Sequence, residues 1–435
     1  MEDIRIQTQD NLPSIEHILR PITYTSWLLG AGVAHPRKYP KTITIIPYII
    51  HLVLCFIVMI YNIILFFNMY NLFQNIYTIL FFIQLVINNV FTYYCIYQMI
   101  GQYDKWPELM DKIKEFDQRI RREILIHGGP VKIAEALAIL VTFACCPLWI
   151  IVDILYYYIT YPNLIRIYFI ITYFKLGQSL INSFVFDVVV YVLYHRLQAI
   201  NKLIGQLNEF SDALKIRRIR KMHNDICDLL IMVNDIYSFN LLLCSVNCLI
   251  TVLVFLSRIY VDVKTKNYIF MWVHITILIL YTTQFGLMCW NCTLARREFD
   301  KTETIIYEIV LNFEHVNLEL KGRRSQSNLE MRTLVQGSNR WQNSVWNSIH
   351  YWNNIDTENL QSRHAENLRK NLNCERIRNE MNDFLIQLQH RRIVFTACDF
   401  FEINNGVFCG FIGIIIGYTT ICIQFFESWI LENSN

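Results

Sequence analysis

The chain has 435 residues, of which 54% are hydrophobic, 14% aromatic and only 17% charged; the net charge is +3 and the mean hydropathy +0.29. Soluble domains run nearer a quarter charged, and 14 Gly with 9 Pro leave little material for loops. The composition disfavours a soluble enzyme, a disordered tail protein and a disulfide-stapled secreted domain, and favours a polytopic all-α membrane protein.

The first 40 residues contain no apolar core of signal-peptide length. The first long apolar run is therefore expected to serve as a signal anchor. A crossing takes about 20 mostly apolar residues to span roughly 30 Å of hydrocarbon. Seven stretches qualify: Ile43–Asn68, Ile76–Ile100, Ile133–Tyr158, Leu164–His195, Ile236–Tyr260, Tyr268–Leu294 and Ile393–Trp429. The fourth and seventh exceed one crossing, so each is expected to continue as helix beyond the membrane. Long apolar runs without strand-like alternation predict helices rather than a barrel.

Lysine and arginine set the expected orientation. The N-terminal segment, the connection after span two, the connection after span four and the long segment before span seven together hold 34 of the 39. Three lie between spans five and six, two inside span four, and none after span seven. The positive-inside rule then places the N-terminus in the cytoplasm and the C-terminus outside. Expected regions are a cytoplasmic segment 1–42, spans one to six with a ligand pocket over 43–294, a cytoplasmic loop with anchor helices over 295–392, span seven over 393–429 and an extracellular tail 430–435. Within the loop, 321–370 is polar and rich in Asn, Gln and Ser, and is expected to be a mostly disordered insertion. G-protein-coupled receptors have the opposite orientation, and Tyr156-Tyr157-Tyr158 stands at the end of span three where a DRY-like triplet would be.

Two cytoplasmic stretches repeat apolar residues at helical spacing: Leu197, Ile200, Leu203, Ile204 and Leu207, then Met381, Phe384, Leu385 and Leu388. Such faces need a partner, either within the subunit or across an assembly contact. Thirteen cysteines include one CxxC, Cys289 to Cys292, with no second ligand pair; most of the others lie in apolar runs, where Cys acts as a small hydrophobe. No metal or cofactor is expected. Nor is an enzyme: no HExxH, P-loop or Ser-His-Asp pattern occurs.

Charge inside a membrane is costly and marks function by default. Asp153 and Arg166 fall at similar shallow depth on adjacent spans, as an ion pair would. Lys175 lies roughly 18 Å in at about 1.5 Å per residue. Asn88, Gln178, His274 and Gln284 each fit an interhelical hydrogen bond. With Lys175, Trp149, Tyr156 and Tyr281 they could also line an outward-facing, mostly aromatic pocket. In span seven, successive 100° steps bring Asp399, Glu402, Gly406, Gly410, Gly413, Gly417, Thr420 and Gln424 within about 40° of one line. Tight helix packing through the glycines explains part of that line; a water-lined conduction path explains all of it. Spacing leaves both open.

The run Phe384-Leu385-Ile386-Gln387-Leu388-Gln389-His390, followed by Phe395-Thr396-Ala397-Cys398-Asp399-Phe400-Phe401-Glu402-Ile403-Asn404, resembles the insect gustatory receptor family. So does Gly417-Tyr418-Thr419-Thr420-Ile421-Cys422-Ile423-Gln424-Phe425, in which Gly417 replaces the family's Thr while Tyr418, Gln424 and Phe425 match. The resemblance implies a plasma-membrane taste receptor of sensory neurons that is itself a ligand-gated, non-selective cation channel. It implies a homo- or heterotetramer with other gustatory receptor subunits, joined by the cytoplasmic anchor domain and surrounded by membrane lipid, with no nucleic-acid partner. Span seven would line the pore through Gly413, Gly417 and Thr420, with Gln424 and Phe425 at an outer gate and acidic Glu402 at the inner mouth. A small-molecule tastant would bind in the outer half of spans one to six. The sugar-sensing branch tends to carry an acid where Thr419 stands, so a bitter or other small organic ligand is favoured over a sugar. A G-protein-coupled chemoreceptor and an odorant-receptor-type channel subunit are the alternatives.

Overall fold

The structure, a computed structural model, describes residues 15–38, 40–69, 76–123, 166–207, 213–264, 268–337 and 375–433, with a few positions between them. The described residues are helical, with one isolated bridge and no named strand. In chain order the helices are α1 (Ile15–Leu29), α2 (Lys41–Met69), α3 (Ile76–Gly101), α4 (Lys105–Glu123), α5 (Arg166–Gly205), α6 (Ala213–Lys264), α7 (Tyr268–Gly337), α8 (375–390) and α9 (Asn405–Asn433). Six of the seven expected spans thus fall on apolar helices. Span three, Ile133–Tyr158, lies almost wholly outside the described residues. Three described helical stretches are long and apolar enough to cross a membrane, and Lys41–Ile57 and Asn405–Ile421 are shorter apolar ones. Along α2, Ile46, Ile49, Ile50, Val53, Phe56 and Ile57 are all exposed. An apolar surface of that extent is covered by lipid rather than water.

The chain divides into two compact units: Met1–Leu197, Asp225–Arg297 and Ile393–Asn435 form the first, and Gln198–Asn224 with Glu298–Arg392 the second.

The first unit is tied together at the end of α1. The Ala31 N–H bonds the Ser26 carbonyl at 2.8 Å and the Gly30 N–H bonds that of Trp27 at 3.2 Å. Gly30 sits at φ +62°. This is a Schellman cap, which needs the left-handed conformation that glycine adopts freely. The remaining carbonyls of the last turn are met from other helices: His51 of α2 bonds the Leu28 oxygen at 2.7 Å, and Gln178 of α5 donates to Leu29 and Gly30 at 2.8 and 2.9 Å. Gly32, at φ +80°, lies so close to α5 that a Cβ would overlap Asn182 Oδ1.

Helix α4 has the pattern of a helix lying on a core. Trp106, Leu109, Met110, Ile113, Phe116 and Ile120 recur every three or four residues and are buried. Asp117 shares that buried side. Its carboxylate takes two bonds from Arg196 of α5, at 2.7 and 3.0 Å, and both side chains are under 10% exposed. Arg119 binds Glu115 at 2.5 Å and also Asp225 of α6.

In the second unit the two amphipathic stretches find their partners inside one subunit. Ile200, Leu203, Ile204 and Leu207 are buried, as are Ile377, Met381, Phe384 and Leu388. Asn201 donates to the carbonyl and carboxylate of Glu298 at 2.7 and 2.9 Å and accepts from Thr302 at 2.7 Å. Arg220 bridges Glu380 and Asp383 of α8, each at 2.9 Å. Both faces are covered within the subunit. Residues 321–337, expected to belong to a disordered insertion, instead continue α7; the rest of 321–370 lies outside the described residues.

His223 is 1% exposed, with its ring 5.3 Å from those of Phe299 and Phe384. Burial, aided by the Arg391 charge, pushes its pKa from 6.5 down to about 3. As pH falls, the unfolded chain takes the proton first, so stability held above about 6.5 is lost on acidification towards 3. Going from pH 6.5 to about 5 should cost about 2 kcal/mol. His223→Phe should remove most of that acid sensitivity, read as thermal midpoints of purified protein at the two pH values. Equal acid shifts in both proteins would assign the effect to other groups.

Candidate functional site

The sequence predicts one helix over 393–429, but the structure breaks it. Residues 391–404 form a tight turn ahead of α9. The Ile403 N–H bonds the Phe395 carbonyl at 2.8 Å and the Ala397 N–H that of Phe401 at 3.0 Å. Cys398 and Asp399 at the tip have φ of 51° and 60°. Thr396 pins the tip by donating to Asp399 at 2.9 Å, and its N–H is held by Asn234 of α6 at 2.9 Å. Asn404 then starts α9 as its N-cap, its Oδ1 accepting from the Val407 N–H at 3.1 Å. Asp399 and Glu402 therefore do not share the helical line of the glycines. The Glu402 carboxylate is ion-paired with Arg296 of α7, which offsets the charge expected at an inner mouth.

From Asn405 onward the two sides of α9 differ. One side packs on the subunit. Phe411 is 5% exposed and lies 4.8 Å from the Phe285 ring of α7. Phe408 covers Gly286, where a Cβ would meet the Phe ring at 3.2 Å. Tyr418 shares a 3.0 Å hydrogen bond with Ser257 of α6. The other side carries the predicted line, and Gly406, Gly410, Gly413, Gly417, Thr420 and Gln424 are exposed along it. A Cβ added at Gly410, Gly413 or Gly417 would meet nothing within 4 Å. Among the described residues, no other helix of the subunit uses these three glycines for close approach. The side chain of Phe425 lies outside the described residues.

The expected pocket residues are only partly brought together. Tyr281 and Gln284 of α7 face Ser179 and Ser183 of α5 and Cys244 and Cys248 of α6 around a space of about 10 Å³. That is room for about one water. Gln284 donates to Asp187 at 2.7 Å, and Asn291 adds a longer bond of 3.4 Å. The Asp187 side chain is 4% exposed. Gln178 is fully buried but does not reach this space; it holds the α1 loop and accepts from Thr92 at 3.2 Å. Asn88 is buried one turn away from Thr92 on α3, away from the same space. His274 bonds Asp262 at 2.7 Å near the start of α7. Trp149, Tyr156 and the side chain of Lys175 lie outside the described residues. Sequence reasoning missed Ser183, Cys244 and Cys248, which carry no signal distinguishing them from ordinary small core residues. Among the described residues, no group of three or more His, Cys, Asp or Glu is placed to hold a metal.

The family model for the 7tm Chemosensory receptor matches residues 19–334 and 325–427. The chain belongs to this chemosensory receptor family. The receptor finds no match among curated proteins. Among solved structures it is similar to the insect olfactory receptor OR5 from Machilis hrabei, with a TM-score of 0.60 and 13% identity over 93% of this chain and 97% of that one. The same olfactory receptor in complex with eugenol gives a TM-score of 0.59 and 12% identity over 94% and 97%. At that identity the likeness is one of fold: the receptor is an all-α, multi-pass membrane protein with the architecture of an insect olfactory receptor.

Proposed function

We propose that the receptor is a gustatory receptor of the sensory-neuron plasma membrane, acting as a ligand-gated, non-selective cation channel. The observation that carries this reading is the open side of α9. Four glycines, a threonine and a glutamine follow one exposed line, and at Gly410, Gly413 and Gly417 a Cβ would meet nothing within 4 Å among the described residues. In a hydrocarbon environment such a line is a poor lipid surface, whereas around a shared symmetry axis it lines a wet path. The assembly that supplies the axis is a homo- or heterotetramer, with cytoplasmic N-terminus and external C-terminus as the charge bias indicates. The test is expression in a cell lacking receptor G-proteins, with currents recorded against a panel of tastants. Ligand-evoked current with no second-messenger requirement is expected. Responses that appear only when a G-protein is supplied would favour the G-protein-coupled reading. An odorant-type subunit would respond to volatile compounds and stay silent to non-volatile tastants.

The ligand, a small organic molecule, is placed beside Tyr281 and Gln284. The space there is far below the roughly 300 Å³ at which typical ligand pockets begin, so binding requires α5, α6 and α7 to separate, and the state so favoured is the open one. Cys248→Ala should ease entry and Ser183→Val should hinder it. Dose–response curves should shift in opposite directions by about threefold to tenfold, at equal surface amounts. Curves that do not move would put the ligand elsewhere.

A further inference from the structure

A second, larger cavity of about 270 Å³ lies between α1, the loop leading to α2, and the start of α4. Arg20, Arg37 and Lys38 line it, and none of its described lining residues is a carboxylate. His17, His35 and Tyr24 add polar edges, while Leu19, Trp106 and Met110 form an apolar wall. Arg20 and Lys38 are exposed and make no ion pair among the described residues. Arg37 is more constrained. Its Nη1 binds Asp111 at 2.6 Å and its Nη2 the Pro107 carbonyl, which fixes the guanidinium plane. Its Nε is buried and has no hydrogen-bond partner among the described residues. A buried donor left without a partner is costly; with both Nη atoms engaged, Arg37 brings the cavity its charge and a fixed guanidinium rather than a free fork. His35 contributes shape rather than charge: burial lowers its pKa, and its ring stacks on Tyr103 at 4.1 Å.

The position of the cavity selects the ligand. Lys38 is three residues before α2 and Trp106 five after the end of α3, so the cavity sits where both of these spans leave the membrane. Helix α1 above it is amphipathic, and its Trp27 donates to the Thr44 carbonyl of α2 at 2.9 Å. A helix of this kind, with aromatic and basic residues together, belongs at the headgroup level. We propose that this cavity binds the phosphomonoester headgroup of an inner-leaflet lipid, a phosphoinositide by chemical class. The inner-leaflet assignment rests on the cytoplasmic N-terminus proposed above. Arg20 and Lys38 would take the phosphates beside the fixed Arg37 guanidinium, and the apolar wall would cover the glycerol end. Polybasic sites near the membrane surface gain further from the negative potential of that leaflet.

The test uses the full-length receptor in phosphatidylcholine nanodiscs, with a fluorescent short-chain phosphatidylinositol 4,5-bisphosphate as probe. Saturable binding is expected. The pair Arg20→Gln with Lys38→Gln, both on exposed side chains, should weaken it by at least about tenfold. The pair Lys215→Gln with Arg217→Gln, in the second unit, should leave it unchanged. Equal binding by the wild type and the first pair would overturn the site. Competition by phosphatidylserine as strong as by the phosphoinositide would reduce it to unspecific charge and overturn the headgroup assignment. Inositol trisphosphate competing as well as the lipid would overturn the lipid source in favour of a soluble phosphate. The binding measurement needs no current, so it stands or falls separately from the channel reading.

Discussion

Replacing Gly413 or Gly417 by Phe is expected to abolish ligand-evoked current while leaving the subunit folded and at the cell surface. The structure makes this a sharp expectation. Among the described residues, no atom lies within 4 Å of a Cβ at either position, so the new rings meet no resistance from them. In a symmetric assembly four copies would converge on the axis and close it. Ile414→Phe is the control: it is 53% exposed on the same helix but off the glycine line, and should leave most of the current. Gln424→Ala should change gating, as removal of a polar constriction near the outer mouth would. If the glycine line served contacts between subunits instead, the Phe variants would lose assembly, seen as a drop in native size, before they lost conductance. Full current from normally assembled Gly413→Phe and Gly417→Phe would end the pore assignment.

The second large effect is expected at the Asp117–Arg196 pair. Arg196→Met would leave the Asp117 carboxylate at 5% exposure without its two bonds from the guanidinium. Breaking a buried pair from one side costs about 3–5 kcal/mol, enough to deplete the folded receptor. Replacing both partners, Asp117→Leu with Arg196→Met, should restore most of the stability, because two apolar side chains carry no desolvation penalty. Thermal midpoints of detergent-solubilised protein decide this. A single variant as stable as the wild type would show that Asp117 finds another partner or becomes neutral at no cost.

Much of the fold was legible in the chain because lipid imposes a simple rule. Every backbone group within hydrocarbon must bond internally, so a run of about 20 apolar residues has few alternatives to helix. The ends of α2 and α3 accordingly lie within two residues of their expected limits. The amphipathic stretches 197–207 and 381–388 were equally clear as helices. What covers them was not, since periodicity reports that a face is buried and not against what. Span seven was misread at its start. The expected helix ran through Phe395–Asn404, whose apolar content is high. The Asn404 cap and the polar tip at Thr396 and Asp399 were local signals that could have divided it.

The site was legible in part for the same reason. The glycine line of α9 follows from 3.6 residues per turn alone. That this line is the open side of the helix, while Phe408, Phe411 and Tyr418 form the packed one, depends on where α6 and α7 stand. The polar residues of the spans were visible as costly groups needing partners. Their partners come from residues up to 167 positions away, as in the Gln84–Thr251 bond of 3.2 Å, and no pattern along one helix names them. The sequence by itself determined the solvent and the helices, because these depend on local composition summed over a span. Only the tertiary structure decided that Glu402 is paired, that Gln178 ties the α1 loop, and that Arg20, Arg37 and Lys38 share one cavity, because each depends on which helices meet and at what height.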